Sequence, residues 1–167
     1  MKVFLDTNVI VSAVTTRGLC ADVLRAVLAD HELVTSLKVL QEIKRILRSK
    51  FSVPDELINE YLGLIGEEAL LAESEEELSL PIKDMDDIVI VSAAVAAHVQ
   101  VLVTGDREVQ TIKSIEGTRI LSPRAFWEEL TAQPGVVADL SRLQEWLSSQ
   151  GKKKRSVKRR RASAPGT

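Results

Sequence analysis

Two short apolar segments that each lead into an aspartate constrain the fold most strongly. Residues 2–5 (KVFL) are followed at once by Asp6, and residues 101–104 (VLVT) are followed by Gly105 and Asp106. Short apolar runs that stop at turn-forming residues are typical of buried strands. Segments with helical spacing of apolar residues separate and follow them. This alternation predicts an α/β fold with three layers, α/β/α, around a mostly parallel central sheet.

Periodicity and turn residues place the remaining elements. The predicted strands are residues 2–5, 32–35, 101–104 and 119–121, and the predicted helices are residues 9–14, 21–28, 37–48, 55–71, 88–97 and 123–130. The predicted caps are Thr7 or Asn8 for the first helix, Ser36 for the third, and Asp86 or Asp87 for the fifth. Residues 1–133 are therefore expected to form one domain. A separate amphipathic helix, residues 136–147, is expected within segment 134–150.

The charge is divided unevenly between the body of the chain and its end. Of 22 basic residues, eight lie in residues 152–161, whereas no acid lies beyond Glu145. Residues 1–151 thus hold 14 basic and 24 acidic residues. Segment 151–167 is basic and of low complexity, so it is expected to be disordered when free. Its predicted nucleic-acid contacts are Lys152, Lys153, Lys154, Arg155, Lys158, Arg159, Arg160 and Arg161, which would bind phosphates without sequence choice. A solubilising tail is the alternative.

Composition excludes several classes of protein. No apolar run reaches the roughly 18 residues of a membrane span, and Asp6 and Asn8 interrupt the N-terminal apolar stretch, so neither a membrane protein nor a signal peptide is expected. A single cysteine, Cys20, suits a reducing cytoplasm. With only two histidines beside it, His31 and His98, a Cys/His zinc site is not expected. A metal, if used, would have carboxylate ligands.

Acidic residues are predicted to meet at one edge of the sheet. Asp6 and Asp106 each follow a strand, and ligands of open α/β sheets bind outside the carboxyl ends of the strands. Asp87 begins the helix that leads back to the second of these strands, which puts it near Asp106. Glu42 lies on the flank of its helix and is expected to point to a cleft or to be paired. Each acid alone is more commonly structural, but several unpaired acids repel one another and need a cation. Oxygen ligands favour Mg²⁺ or Mn²⁺.

Four segments, in this order, resemble PIN-domain nucleases. They are residues 3–9 (VFLDTNV), 87–94 (DIVIVSAA), 102–108 (LVTGDRE) and 119–126 (RILSPRAF). The last looks like the closing strand and helix of the PIN branch described as toxin components. The resemblance covers roughly residues 1–130. It departs at Ile88-Val89, where close relatives often have Asn-Lys.

The resemblance implies a PIN-like fold and assigns roles to particular residues. The implied catalytic acids are Asp6, Glu42, Asp87 and Asp106, of which Asp6, Asp87 and Asp106 would hold the metal. Glu42, Asp84 and Asp86 are further candidate ligands. Asn8 and Thr104 match polar positions that orient the carboxylates or the attacking water. PIN nucleases cleave RNA, and many are toxins silenced by a cognate antitoxin.

The resulting hypothesis is a Mg²⁺- or Mn²⁺-dependent endoribonuclease that hydrolyses RNA phosphodiester bonds, with the role of toxin in a cytoplasmic toxin–antitoxin pair. The helix at residues 136–147 has three possible roles: it could pack on its own domain, form a homodimer interface or contact an antitoxin. The main alternative is a non-catalytic nucleic-acid-binding or regulatory PIN-like module that uses the basic tail. A receiver domain is disfavoured, because it needs paired acids after the first strand, where this chain has Asp-Thr-Asn.

Overall fold

A six-stranded sheet forms the centre of the structure, a computed structural model that describes residues 1–74 and 76–132. The strands are β1 (Lys2–Leu5), β2 (Glu32–Ser36), β3 (Leu70–Ala72), β4 (Val101–Val103), β5 (Ser114–Ile115) and β6 (Thr118–Leu121). Their order across the sheet is β3-β2-β1-β4-β6-β5. All neighbouring strands are parallel except the β5–β6 pair. The predicted α/β class with a mostly parallel sheet is confirmed.

Helices connect the strands in the way that parallel sheets require. They are α1 (Thr7–Thr15), α2 (Leu19–Asp30), α3 (Leu37–Phe51), α4 (Asp55–Glu68), α5 (Met85–Ala96), α6 (Arg107–Gln110) and α7 (Pro123–Ala132). The chain moves outward from β1 to β2 and β3, and α5 then returns it to β4 on the other side of β1. Right-handed crossovers therefore put α5 on the face opposite to α1–α4. The reversal makes the β1–β4 junction the topological switch point, where open α/β sheets bind their ligands.

The core explains why the two segments that precede the aspartates become central strands. Every residue from Val3 to Leu5 and from Val101 to Val103 is fully buried. Continuous apolar runs of this kind are typical of parallel strands that helices cover on both faces. The helix α3 instead buries one face, through Val39, Ile43, Ile46 and Leu47. Its opposite face stays free for polar side chains.

Three short elements differ from the sequence prediction. The fourth helix ends at Glu68 rather than at residue 71, because Leu70 and Leu71 pair with β2 as the edge strand β3. These leucines continue the apolar spacing of the helix, so periodicity alone assigned them to it. The helix α6 and the strand β5 were not predicted. They have four and two residues, which is too few to show a period.

The helix caps also differ in two places, and both changes involve acids. The cap of α1 is Asp6 rather than Thr7 or Asn8, because the backbone is still extended at Asp6 while its carbonyl already accepts the N–H groups of Val9 and Ile10. The helix α5 begins at Met85, and its cap is Asp84, whose carboxylate accepts the N–H of Asp86 at 2.9 Å. Ser36 caps α3 as predicted, by accepting the N–H of Val39.

Two predicted segments lie outside the described residues. They are the amphipathic helix within segment 134–150 and the basic segment 151–167, with all eight of its predicted nucleic-acid contacts. Within residues 1–74 and 76–132, no helix has both the length and the apolar character needed to cross a bilayer.

Candidate active site

Asp6 is held in place at the carboxyl end of β1 by three hydrogen bonds. Its backbone N–H donates to the carbonyl of Val103 on β4 at 3.0 Å. Its Oδ1 accepts the N–H of Thr7 at 2.7 Å, and its Oδ2 accepts the hydroxyl of Thr104 at 2.8 Å. The residue is only 5% exposed. Burial raises the pKa of Asp6, the two hydrogen bonds lower it in part, and the charges of Glu42 and Asp106 raise it further.

Thr104 links the ends of the two central strands. Its hydroxyl donates to Asp6, and the same oxygen accepts the backbone N–H of Asp106 at 3.0 Å. Asp106 then caps the short helix α6, because its Oδ1 accepts the N–H of Val109 at 3.0 Å. The Thr104 carbonyl accepts a further hydrogen bond from the side chain of Gln110. One buried hydroxyl therefore fixes Asp6 relative to Asp106, and the predicted role of Thr104 in orienting the carboxylates or the attacking water stays a prediction.

Glu42 joins the group through a residue that the sequence analysis did not select. The hydroxyl of Thr7 donates to Glu42 Oε2 at 2.7 Å, which ties α3 to the first turn of α1. The Glu42 side chain is 18% exposed, and Arg45 approaches its other oxygen at 3.7 Å. Asn8, by contrast, is exposed and makes none of these hydrogen bonds. Successive helical residues differ by about 100° in direction, so only one of Thr7 and Asn8 can face Glu42.

Asp87 is the acid most affected by its neighbours. Burial, followed by the charges of Asp106, Asp6, Asp84 and Glu42, raises the pKa of Asp87 to about 7. A carboxyl group responds to four other acids in this way only where they lie close to it. The structure therefore brings Asp6, Glu42, Asp87 and Asp106 together, and we call these four residues the acid cluster. Their roles as catalytic residues and metal ligands stay predictions.

The two other candidate ligands beside Asp87 are engaged elsewhere. The carboxylate of Asp84 caps α5, as described above. Asp86 Oδ1 forms an ion pair with Lys38 Nζ at 2.6 Å. The charges of both Asp6 and Asp106 contribute to the raised pKa of Asp87.

The acid cluster fits a hard divalent cation by its chemistry. Its donors are carboxylate oxygens, and after burial the charges of the other acids contribute to the raised pKa of Asp87, a repulsion that a cation would relieve. In the side-chain positions described, no three His, Cys, Asp or Glu residues are arranged so that they could hold an ion. Hydrogen bonds within the protein already engage Asp6, Glu42 and Asp106. Metal binding would thus require small side-chain movements at residues whose backbone is fixed.

The opposite edge of the sheet carries an open depression with a different character. It is lined by Met1, Lys2, Ala29, Asp30, His31, Glu32, His98 and Gln100. Both histidines lie at helix ends: His31 follows α2, and His98 follows α5. The ring nitrogens of His31 are buried without a hydrogen-bond partner among the described residues, and burial lowers the pKa of this residue. The acids and the positive groups are mixed at this edge, so no unbalanced charge calls for a ligand.

Comparison with known families agrees with this architecture. The model of the PIN domain matches residues 2–108, which is more than half of the chain and includes every member of the acid cluster. The chain therefore belongs to the PIN-domain family, whose members are generally nucleases.

Solved structures show the same fold at low sequence identity. The chain is similar to VapBC2 from Rickettsia felis, crystallised with a DNA fragment from their promoter, with 19% identity and a TM-score of 0.52 over 73% of this chain and 98% of that chain. It is also similar to VapBC-1 from nontypeable Haemophilus influenzae, with 20% identity and a TM-score of 0.53 over 74% of this chain and 99% of that chain. A comparison with curated protein sequences returns no match.

Proposed function

We propose that this PIN-domain protein is a Mg²⁺- or Mn²⁺-dependent endoribonuclease that hydrolyses RNA phosphodiester bonds. The observation that carries the proposal is the convergence of four acids at the β1–β4 switch point, where the Thr104 hydroxyl joins the Asp6 carboxylate to the backbone N–H of Asp106. An acid cluster that binds no cation would repel a phosphodiester, whereas the same oxygens around a cation attract one. Membership of a nuclease family supports this chemistry.

The residues of the cluster would have separate tasks. Asp6, Asp87 and Asp106 would hold the metal, and Glu42 would complete the site. A bound Mg²⁺ or Mn²⁺ would supply the positive charge that makes water more acidic and stabilises the leaving oxygen. Thr104 positions Asp6 and Asp106 by its two hydrogen bonds, and Thr7 positions Glu42. We expect the attacking nucleophile to be water, without a covalent enzyme intermediate.

We further propose that the protein is the toxin of a toxin–antitoxin pair and acts in the cytoplasm on RNA. Support comes from the structural likeness to VapBC2 and VapBC-1 over nearly the full length of the matching chains. At about 20% identity this likeness carries the fold, so the toxin role needs its own test. Expression of the chain alone should arrest growth, and co-expression of a small neighbouring open reading frame should restore it. Growth arrest by an Asp106→Asn variant would contradict a toxin that acts by cleavage.

The nuclease activity can be tested with a mixed pool of RNA in the presence of Mg²⁺ or Mn²⁺. Wild type should cut the pool, while Asp6→Asn and Asp106→Asn should lose at least about a hundred-fold in rate, since each removes a charge worth several kcal/mol to the metal-bound state. Asparagine keeps an oxygen that can accept the cap hydrogen bond from Val109, so the Asp106→Asn variant should fold. Circular dichroism checks this. Cutting without metal, or full activity in both variants, would contradict the mechanism, whereas RNA binding without any cutting would favour a non-catalytic nucleic-acid-binding module.

A further inference from the structure

An ion pair joins the first turns of α3 and α5 beside the acid cluster. Lys38 Nζ lies 2.6 Å from Asp86 Oδ1, and the side chains are 35% and 51% exposed. The hydrogen bond to Asp86 raises the pKa of Lys38, so the ammonium group is fully charged at neutral pH. Asp86 directly precedes Asp87 of the cluster. The pair therefore places a solvent-accessible positive charge next to a group of acids.

Lys38 also faces the cluster from its own helix. Glu42 follows it by four residues and Arg45 by seven, so all three share one face of α3. The charges of Glu42 and Arg45 both act on Lys38, which agrees with this placement. Arg45 is 67% exposed and touches Glu42 only loosely, at 3.7 Å. Positive side chains thus lie on both sides of the one acid that α3 contributes.

We propose that Lys38 is a binding residue for the RNA backbone, and that Asp86 holds it beside the cluster until a phosphate of the substrate takes the place of the carboxylate. This inference rests on the proposed function, because it names a contact of that site with its substrate. Exposed ion pairs contribute little net free energy, so exchange of one anion for another at Lys38 costs little. A phosphate is a good replacement, because it also accepts the hydrogen bonds of an ammonium group.

Apolar side chains next to the pair fit the rest of a nucleotide. Leu37 precedes Lys38 and is 51% exposed, and Met85 precedes Asp86 and is 59% exposed. Next to a phosphate-binding lysine, they offer apolar surface to ribose or base without selecting a sequence. The contact at Lys38 is accordingly expected to be independent of sequence.

Binding of RNA to the cleavage-deficient Asp106→Asn protein tests the contact separately from cleavage. The probe is a 12-nucleotide single-stranded RNA without self-complementarity, titrated at several concentrations of monovalent salt with Mg²⁺ held constant. Lys38→Ala should weaken binding by about five-fold at low salt, and the dependence of log K on log salt should become shallower by about 0.7, the value for one lost phosphate contact on a single strand. Lys38→Arg should restore most of both.

A double-mutant cycle tests the role of Asp86. If Asp86 competes with the phosphate for Lys38, Asp86→Asn should tighten binding more when Lys38 is present than in the Lys38→Ala background, where only general repulsion is relieved. The matched control is the Arg25–Asp22 pair on α2, which has the same 2.6 Å separation. Arg25→Ala and Asp22→Asn should leave RNA affinity and its salt dependence within two-fold of the parent protein.

Each outcome decides the proposal. Unchanged affinity and salt slope in Lys38→Ala would overturn it, and so would equal weakening by Lys38→Ala and Asp86→Asn, because that pattern describes a tether between two helices. Its failure is distinguishable from failure of the proposed function. Metal-dependent RNA cutting by wild type with no Lys38 effect contradicts only the contact, whereas wild type that cuts no RNA contradicts the nuclease.

Discussion

The two edges of the central sheet are built from the same strands but differ in how their charges are arranged. At the carboxyl edge, Asp6, Glu42, Asp87 and Asp106 converge, and the pKa of Asp87 rises to about 7. At the amino edge, the open depression mixes acids with Lys2, the histidines and the N-terminal residue. The depression at the amino edge thus contains no member of the acid cluster. Unbalanced charge, rather than the shape of the surface, marks the candidate active site.

Removal of one charge at each edge should give the largest contrast. Asp87→Asn should lower the rate of RNA cleavage by about a hundred-fold or more, because it removes a proposed metal ligand. Glu32→Gln, in the depression at the amino edge, should stay within two-fold of wild type. Initial rates at saturating Mn²⁺ measure both. An equal loss of cleavage rate in the two variants would contradict the assignment of the active site to the carboxyl edge.

The next contrast concerns the hydroxyl that joins Thr7 to Glu42. Thr7→Val should reduce the cleavage rate by about ten-fold, since it removes one hydrogen bond to a charged group while keeping the shape of the side chain. Thr7→Ser should retain most of the activity because it keeps the hydroxyl. Full activity in Thr7→Val together with loss in Asn8→Ala would show that the neighbouring position, implied by family resemblance, has the positioning role instead.

Stability without metal should show that the acid cluster costs free energy. Asp87→Asn should raise the melting temperature in chelator by about 2–4 °C, which corresponds to about 1 kcal/mol for a protein of this length. Added Mg²⁺ or Mn²⁺ should then stabilise wild type more than the variant. Differential scanning fluorimetry measures the shift. A lower melting temperature for Asp87→Asn in chelator would mean that the acids stabilise the fold rather than strain it.

The titratable groups at the two edges should change the stability of the protein in opposite directions as the pH changes. The pKa of Asp87 is raised from 3.8 to about 7, so the native state binds more protons than the unfolded state between these values, and this edge loses stability as pH rises from about 4 to about 7. The pKa of His31 is lowered from 6.5, so the amino edge loses stability as pH falls below about 6.5.

Two variants separate these effects. In urea titrations of metal-free protein, Asp87→Asn should reduce the loss toward neutral pH, to which Asp6 with its raised pKa still contributes, and His31→Asn should reduce the loss toward acid pH. An unchanged profile in Asp87→Asn would show that the carboxyl edge does not titrate as described.

The sequence predicted those site residues whose position depends on local structure. Asp6 and Asp106 follow recognisable strands, and Asp87 follows from the direction of the helix between them, so strand and helix patterns were sufficient to bring them together. Asn8 came from the family resemblance, and its role stays a prediction, whereas the contact of Thr7 with Glu42 depends on the phase of the first helical turn. The cap of α1 is Asp6, one residue before the predicted Thr7, and this start determines which residue of the first turn faces Glu42.

The Lys38–Asp86 contact and the strand β3 could not be predicted from the sequence, because both depend on tertiary contacts. The four-residue spacing from Lys38 to Glu42 is visible in the sequence, but the contact with Asp86 joins two helices 48 positions apart and leaves no local signal. Similarly, Leu70 and Leu71 become a strand only because β2 offers an unpaired edge. In both cases a tertiary contact decides between local alternatives that are equally compatible with the sequence.

The single hydroxyl between Asp6 and Asp106 has a consequence for moving this chemistry to another protein. Its proton is committed to Asp6 and its oxygen to the N–H of Asp106, so the spacing of the two acids depends on one atom and on the adjacency of β1 and β4. If only the four acids were transferred to another protein, their carboxylates would repel one another, and nothing would hold them in the positions that they have here. The smallest transferable unit is therefore two neighbouring parallel strands with the threonine between their ends, to which the acids are added last.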